Sequence, residues 1–201
     1  MFSYRIRHRE AASFSIVLFL AWCAIVNWLG AGVEVQPIAF TAGIAAGLLL
    51  HELVHIAFLM ALGVRRLIIR PLLQFPLMGL SISHNVPLEK RSFAVEEVAP
   101  ILTLTPILLS AARLTGGALR SVLLGASLIN TIGSSGDLLL IALVVPFGNT
   151  KVLDRGVLIE VSGCRADKRL LIPVIMVDYF AWALISVFLA LFAAMHLFSS
   201  S

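Results

Sequence analysis

Long apolar runs alternate along the chain with short polar segments that are mostly basic. Five runs fall at about 12–30, 37–64, 93–115, 119–147 and 171–198. Each exceeds the roughly 17 apolar residues that a bilayer-crossing helix needs. Between the second and third runs the pattern changes. The stretch Arg65 to Arg91 is too polar to span, and Leu80-Ser81-Ile82-Ser83 alternates with period two close to Pro71, Pro76 and Gly79. That pattern predicts a hairpin or strand-like loop. A second short strand is predicted from Gly156 to Val161. The expected fold is an all-α membrane protein, a bundle of about five transmembrane helices with a short cytosolic-side hairpin-like loop. It forms one domain over residues 1–201.

Composition supports the bilayer as solvent. Of 201 residues, 60% are hydrophobic and 13% charged, with a mean hydropathy of +1.01. Disorder requires low hydrophobicity and high charge, and soluble domains carry about a quarter charged residues; neither class fits. A net charge of +4 raises nucleic acid as a partner. Placement argues for the membrane instead, because 13 of the 15 Lys and Arg lie in three stretches, Arg5–Arg9, Arg65–Arg91 and Lys151–Arg169. Those stretches share one side of a five-span bundle. The positive-inside rule then sets the N-terminus in the cytosol and the C-terminus outside. The run from Ala11 to Gly30 is longer than a signal-peptide core and lacks a small-residue cleavage site, so it reads as a retained span. A small chain of this topology suits a prokaryotic plasma membrane. Cys23 and Cys164 make no disulfide framework.

Charged groups at membrane depth are costly and mark function. The second run contains His51-Glu52-Leu53-Val54-His55, an HExxH pattern. Residues four apart on a helix lie about 40° apart and one turn up, so both imidazoles face one way. Two such rings can supply two of the three protein ligands of a catalytic zinc. Glu52 stands beside them as the candidate general base for a water bound there. From this composition one chance match, with either acid allowed at the second position, has a probability of about 0.7%, so a Zn²⁺ site is favoured over a pair of packing histidines.

A third ligand must come from another helix. Asp137 in the fourth run and Asp178 in the fifth lie at comparable depth, roughly 15 Å or less from the same face. His84, Glu96 and Glu97 are further candidates. Local sequence favours Asp137, since Asn130, Ser134 and Asp137 share a helical face and Gly133 and Gly136 permit close helix approach. Asn130 could orient a substrate backbone or bond a helix carbonyl. Glu96 and Glu97 read as acidic residues at a helix N-terminus, and Pro100 and Pro106 as kinks in the third span. His196 reads as interfacial.

These residues carry a resemblance. His51-Glu52-Leu53-Val54-His55 with Gly63, Ala99-Pro100, and Asn130 followed by Gly133-Ser134-Ser135-Gly136-Asp137 resemble a family of integral-membrane zincin peptidases, a domain of unknown function. The likeness covers about residues 45 to 160. More distantly the arrangement is similar to site-2 proteases, although those usually set the aspartate in an asparagine-proline-aspartate-glycine or leucine-aspartate-glycine context. Here it stands in Ser135-Gly136-Asp137-Leu138. The resemblance implies zinc ligation by His51, His55 and Asp137, with Glu52 as catalytic base. The expected function is a zinc-dependent endopeptidase cutting a membrane protein or peptide at or within the membrane, near the cytosolic face. The rival readings are a non-catalytic zinc-binding membrane protein (sensor, carrier or pseudo-protease scaffold) and a zinc hydrolase of lipids or small amides. Oligomeric state is not legible.

Overall fold

The computed structural model describes residues 2–30, 34–74, 77–148, 150–155, 158–162 and 171–199. Five helices form where the apolar runs lie: α1 (His8–Trp28), α2 (Pro37–Ala61), α3 (Lys90–Leu114), α4 (Gly117–Val144) and α5 (Ile172–Ser199). The first four are long and apolar enough to cross a membrane; α5 is apolar over its described side chains, Ile172–Val187. Large apolar side chains such as Trp28, Ile38, Leu102, Ile107 and Met176 point outward. In water that would be costly, and in hydrocarbon it is neutral or favourable. The chain is a membrane protein built mostly of helices, as its pattern predicted.

The helix ends follow local chemistry. Pro37 opens α2 at a position where its missing N–H costs nothing. At the other end Gly63 takes φ +85°. Its N–H donates to Met60 O, and the Val64 N–H donates to Leu59 O, both at 3.0 Å. These two bonds satisfy carbonyls that the last turn leaves open. On α1 the Glu10 carboxylate accepts the Arg7 backbone N–H at 3.1 Å and also the Tyr4 hydroxyl. Burial and the Glu10 carboxylate together raise the Tyr4 hydroxyl above its ordinary value.

The helix α4 is central, packed against α1, α2, α3 and α5. Its contact with α2 depends on glycine. A Cβ on Gly43 would sit 2.1 Å from Val122 O, one on Gly47 2.5 Å from Ala126 O, and one on Gly125 2.2 Å from Phe40 O. All three are backbone clashes, so the two helices touch main chain to main chain, as small-xxx-small helix pairs do. Gly47 lies one turn before His51. Gly47→Leu is therefore expected to push α2 off α4, to cost about 1–3 kcal/mol, and to lower metal occupancy with it. Thermal unfolding of the detergent-solubilised protein, with metal analysis, checks both.

Six short strands gather at the end of the bundle where α1 and α3 begin and α2 and α4 finish. Strands β1 (Phe2–Arg5), β6 (Leu158–Ser162), β5 (Lys151–Asp154) and β4 (Leu88–Glu89) form an antiparallel sheet in that order. Strands β2 (Leu67–Gln74) and β3 (Leu77–His84) form a separate hairpin in register from Leu67↔His84 to Gln74↔Leu77. The predicted hairpin is thus present, and β6 covers the described part of the strand predicted from Gly156 to Val161, with Gly156 and Val157 outside the described residues. The sheet is larger than the sequence indicated, because β1, β4 and β5 are two to four residues long and only their pairing reveals them. One sheet face is covered: Val152, Ile159 and Val161 are buried with Phe2, Leu59, Phe93 and Leu143 in a core beneath it. Cys164 lies outside the described residues, as does the side chain of His196.

Candidate metal centre

The α2–α4 contact brings three metal-capable side chains together. His51 and His55 face the same way from α2 with ring centroids 4.9 Å apart at 70°, and both are buried, 5% and 7% exposed. Asp137 reaches them from α4. Its Oδ2 lies 3.4 Å from His51 Nε2 and 3.4 Å from His55 Nε2, and the three ligand atoms all lie within 4.8 Å of one another. Oδ2 is buried without a hydrogen-bond partner. An unsatisfied carboxylate oxygen facing two ring nitrogens is costly unless a cation shares it. A tetrahedral ion with bonds of about 2.0–2.1 Å spaces its donors about 3.3–3.4 Å apart. The donor set fits such an ion.

The far sides of both rings are fixed. Asn130, fully buried on α4, donates from Nδ2 to Pro100 O at 3.0 Å and to Thr105 Oγ1 at 2.8 Å. A carbonyl can only accept, so the amide is oriented with Oδ1 towards His51. Oδ1 lies 3.0 Å from His51 Nδ1, which must then carry the proton. Glu96 Oε1 lies 2.6 Å from His55 Nδ1 and accepts the hydrogen bond of its N–H in the same way. Each Nε2 is left with its lone pair towards Asp137. Such outer contacts hold a ring in the ligating tautomer and orientation. Asn130→Ala and Glu96→Ala are each expected to weaken metal binding about 10–100-fold. Competition against a chromophoric chelator measures this, and an unchanged affinity in both would refute the orienting role.

Gly133 of α4 lies beside the His51 ring, where a Cβ would make an ordinary van der Waals contact at 3.6 Å. Glu52, beside His51, is 9% exposed. Being three residues from His55, it lies about 60° around the helix from that ring. Ser134 is buried and bonds back to Asn130 O at 3.0 Å, while the Ser135 hydroxyl meets Ser15 Oγ of α1 at 2.9 Å. Both serines serve helix packing.

The other sequence candidates lie elsewhere. Asp178 pairs with Arg9 at 2.8 Å and accepts from Ser13 Oγ at 2.5 Å, joining α5 to α1. Glu97 is buried on α3 outside the donor group. His84 is buried at the end of β3, where burial pulls it below its ordinary value more than Glu96 raises it. One reading needs correction, and one open choice is narrowed. Glu96 and Glu97 do not serve the helix N-terminus, since the first turn of α3 holds no acidic residue; Glu96 instead holds His55. Asn130 bonds a helix carbonyl, and with both amide hydrogens engaged on protein acceptors it is not a free substrate-orienting group. The signal for Glu96 was present, because a carboxylate inside an apolar span needs a partner.

All of these residues from His51 to Asp137 fall inside one match. The family described as "Putative zincin peptidase" matches residues 44–151, more than half of the chain, and the chain belongs to that family. No curated protein and no solved structure matches it.

Proposed function

We propose that this member of the zincin peptidase family is a membrane-embedded, zinc-dependent endopeptidase. It hydrolyses peptide bonds of a membrane protein or peptide at or within the membrane, near the cytosolic face. One observation carries the reading: the unpartnered Asp137 Oδ2, 3.4 Å from two imidazole nitrogens whose other nitrogens are already held. His51, His55 and Asp137 would hold the ion, and a set of three protein donors is that of catalytic rather than structural zinc.

When bound, zinc acidifies water and polarises a carbonyl. The rest falls to the chain. Asn130 and Glu96 keep both rings in the ligating tautomer. Glu52 takes the proton of the attacking water and passes it to the leaving amine. Burial of Glu52 and both histidines excludes bulk water and strengthens every charge interaction in the site. The hairpin β2–β3 pairs only with itself among the described strands. Its free edge would hold a substrate segment extended and so expose carbonyls that a helix keeps bonded. The N-terminus is cytosolic, as the distribution of basic residues indicates.

The test is reconstitution. Zinc-loaded protein in lipid nanodiscs is mixed with single-span peptides of varied sequence, and products are identified by mass spectrometry. Cleavage within the apolar segment, abolished by chelation and restored by zinc, is expected. Zinc-loaded protein that cuts no more than its Glu52→Gln variant would favour the non-catalytic zinc-binding alternative.

A further inference from the structure

A second recess lies apart from the metal centre, at the strand-bearing end of the bundle. Its volume is about 420 Å³, and it is lined by Glu89, Lys90, Arg91, Thr150 and Lys151. Three cations against one carboxylate make it positive. Lys90 is committed, since its Nζ donates to Phe147 O and Val145 O at the end of α4. Arg91 and Lys151 are exposed, and neither enters an ion pair among the described residues. They approach the recess from different elements, α3 and β5. The backbone adds to them. Glu89 at the start of α3 provides no side-chain cap, and although the Lys90 N–H reaches Thr150 O at 3.1 Å, those of Arg91 and Ser92 have no carbonyl four residues back to bond within the helix.

Position selects the ligand. The recess sits where α3 begins and α4 has just ended, beside two helices long and apolar enough to cross a bilayer. That is the level of phospholipid headgroups, on the side that carries most of the basic residues. We infer that this recess binds the phosphate of an anionic phospholipid headgroup, with Arg91 and Lys151 as its charge partners. The inference does not depend on peptidase activity.

The experiment titrates the detergent-solubilised full chain with phosphatidylglycerol or phosphatidylcholine and follows adducts by native mass spectrometry. A preference for phosphatidylglycerol is expected. It falls about fivefold for each of Arg91→Gln and Lys151→Gln and about thirtyfold for both together, and the charge-preserving pair Arg91→Lys and Lys151→Arg retains most of it. Zinc content and elution profile report folding and stay unchanged. Inorganic phosphate, titrated into protein held in phosphatidylcholine nanodiscs with and without a minor share of phosphatidylglycerol, separates the sources. Phosphate that binds there and also displaces phosphatidylglycerol completely would overturn the lipid in favour of a soluble anion. Wild-type phosphatidylglycerol affinity in the double Gln variant would overturn the site altogether.

Discussion

Glu52→Gln is expected to cut peptide hydrolysis by about 10²–10⁴-fold, the range that a positioned general base supplies, with zinc still bound. The two side chains are nearly the same size, so the buried α2 surface around residue 52 is preserved. Glutamine can accept a hydrogen bond but cannot take up a proton. The three atoms proposed to hold the ion belong to His51, His55 and Asp137 and are untouched by the change. Activity and metal content should therefore separate. The comparison needs turnover of one identified peptide and zinc analysis on the same preparation. A variant that cleaves at the parental rate removes Glu52 from the chemistry, and one that loses zinc makes it a ligand or a structural support.

Asp137→Ala should have the opposite profile, losing metal first and activity as a result. The substitution removes the only carboxylate among the three donors and leaves two neutral imidazoles. Loss of an outer contact such as Asn130 or Glu96 costs about 10–100-fold in affinity, and loss of a direct donor should exceed that. Asp178→Ala supplies the control. That carboxylate ties Arg9 and Ser13 of α1 to α5, so its removal should loosen those helices and leave zinc affinity unchanged. Chelator competition on both variants distinguishes the outcomes. Equal zinc affinity in the parent and Asp137→Ala would sink the proposed centre.

Much of this was legible before any coordinates. Apolar length placed all five helices to within a few residues, because a span must satisfy its backbone internally and a helix is the way an isolated segment does so. The period of four between His51 and His55 put two rings on one face. Their partner on α4 was a choice among several acids, since no sequence rule measures the distance between helices. The contact that sets it was written as Gly43 and Gly47, four residues apart, facing Gly125. Small residues at that spacing were a usable signal that the reading passed over. Glu96 was misread, and the hold of Asn130 on His51 missed, for another reason. Each acts on a ring rather than on a ligand of its own, and such a role appears only when the ring's second nitrogen is seen facing a specific acceptor. The four-stranded sheet was hidden by distance along the chain, since β1 and β6 pair across more than 150 residues.

The main-chain contact between α2 and α4 also limits how the molecule can open. With backbone against backbone at the crossing, any parting of these two helices would pull Asp137 away from both imidazoles and dismantle the proposed metal centre. They act as a keel. On the proposed activity, a polypeptide would enter from the periphery, where α5 leans mainly on α1 and has little hold on α4, and where Arg9 and Asp178 tie α1 to α5.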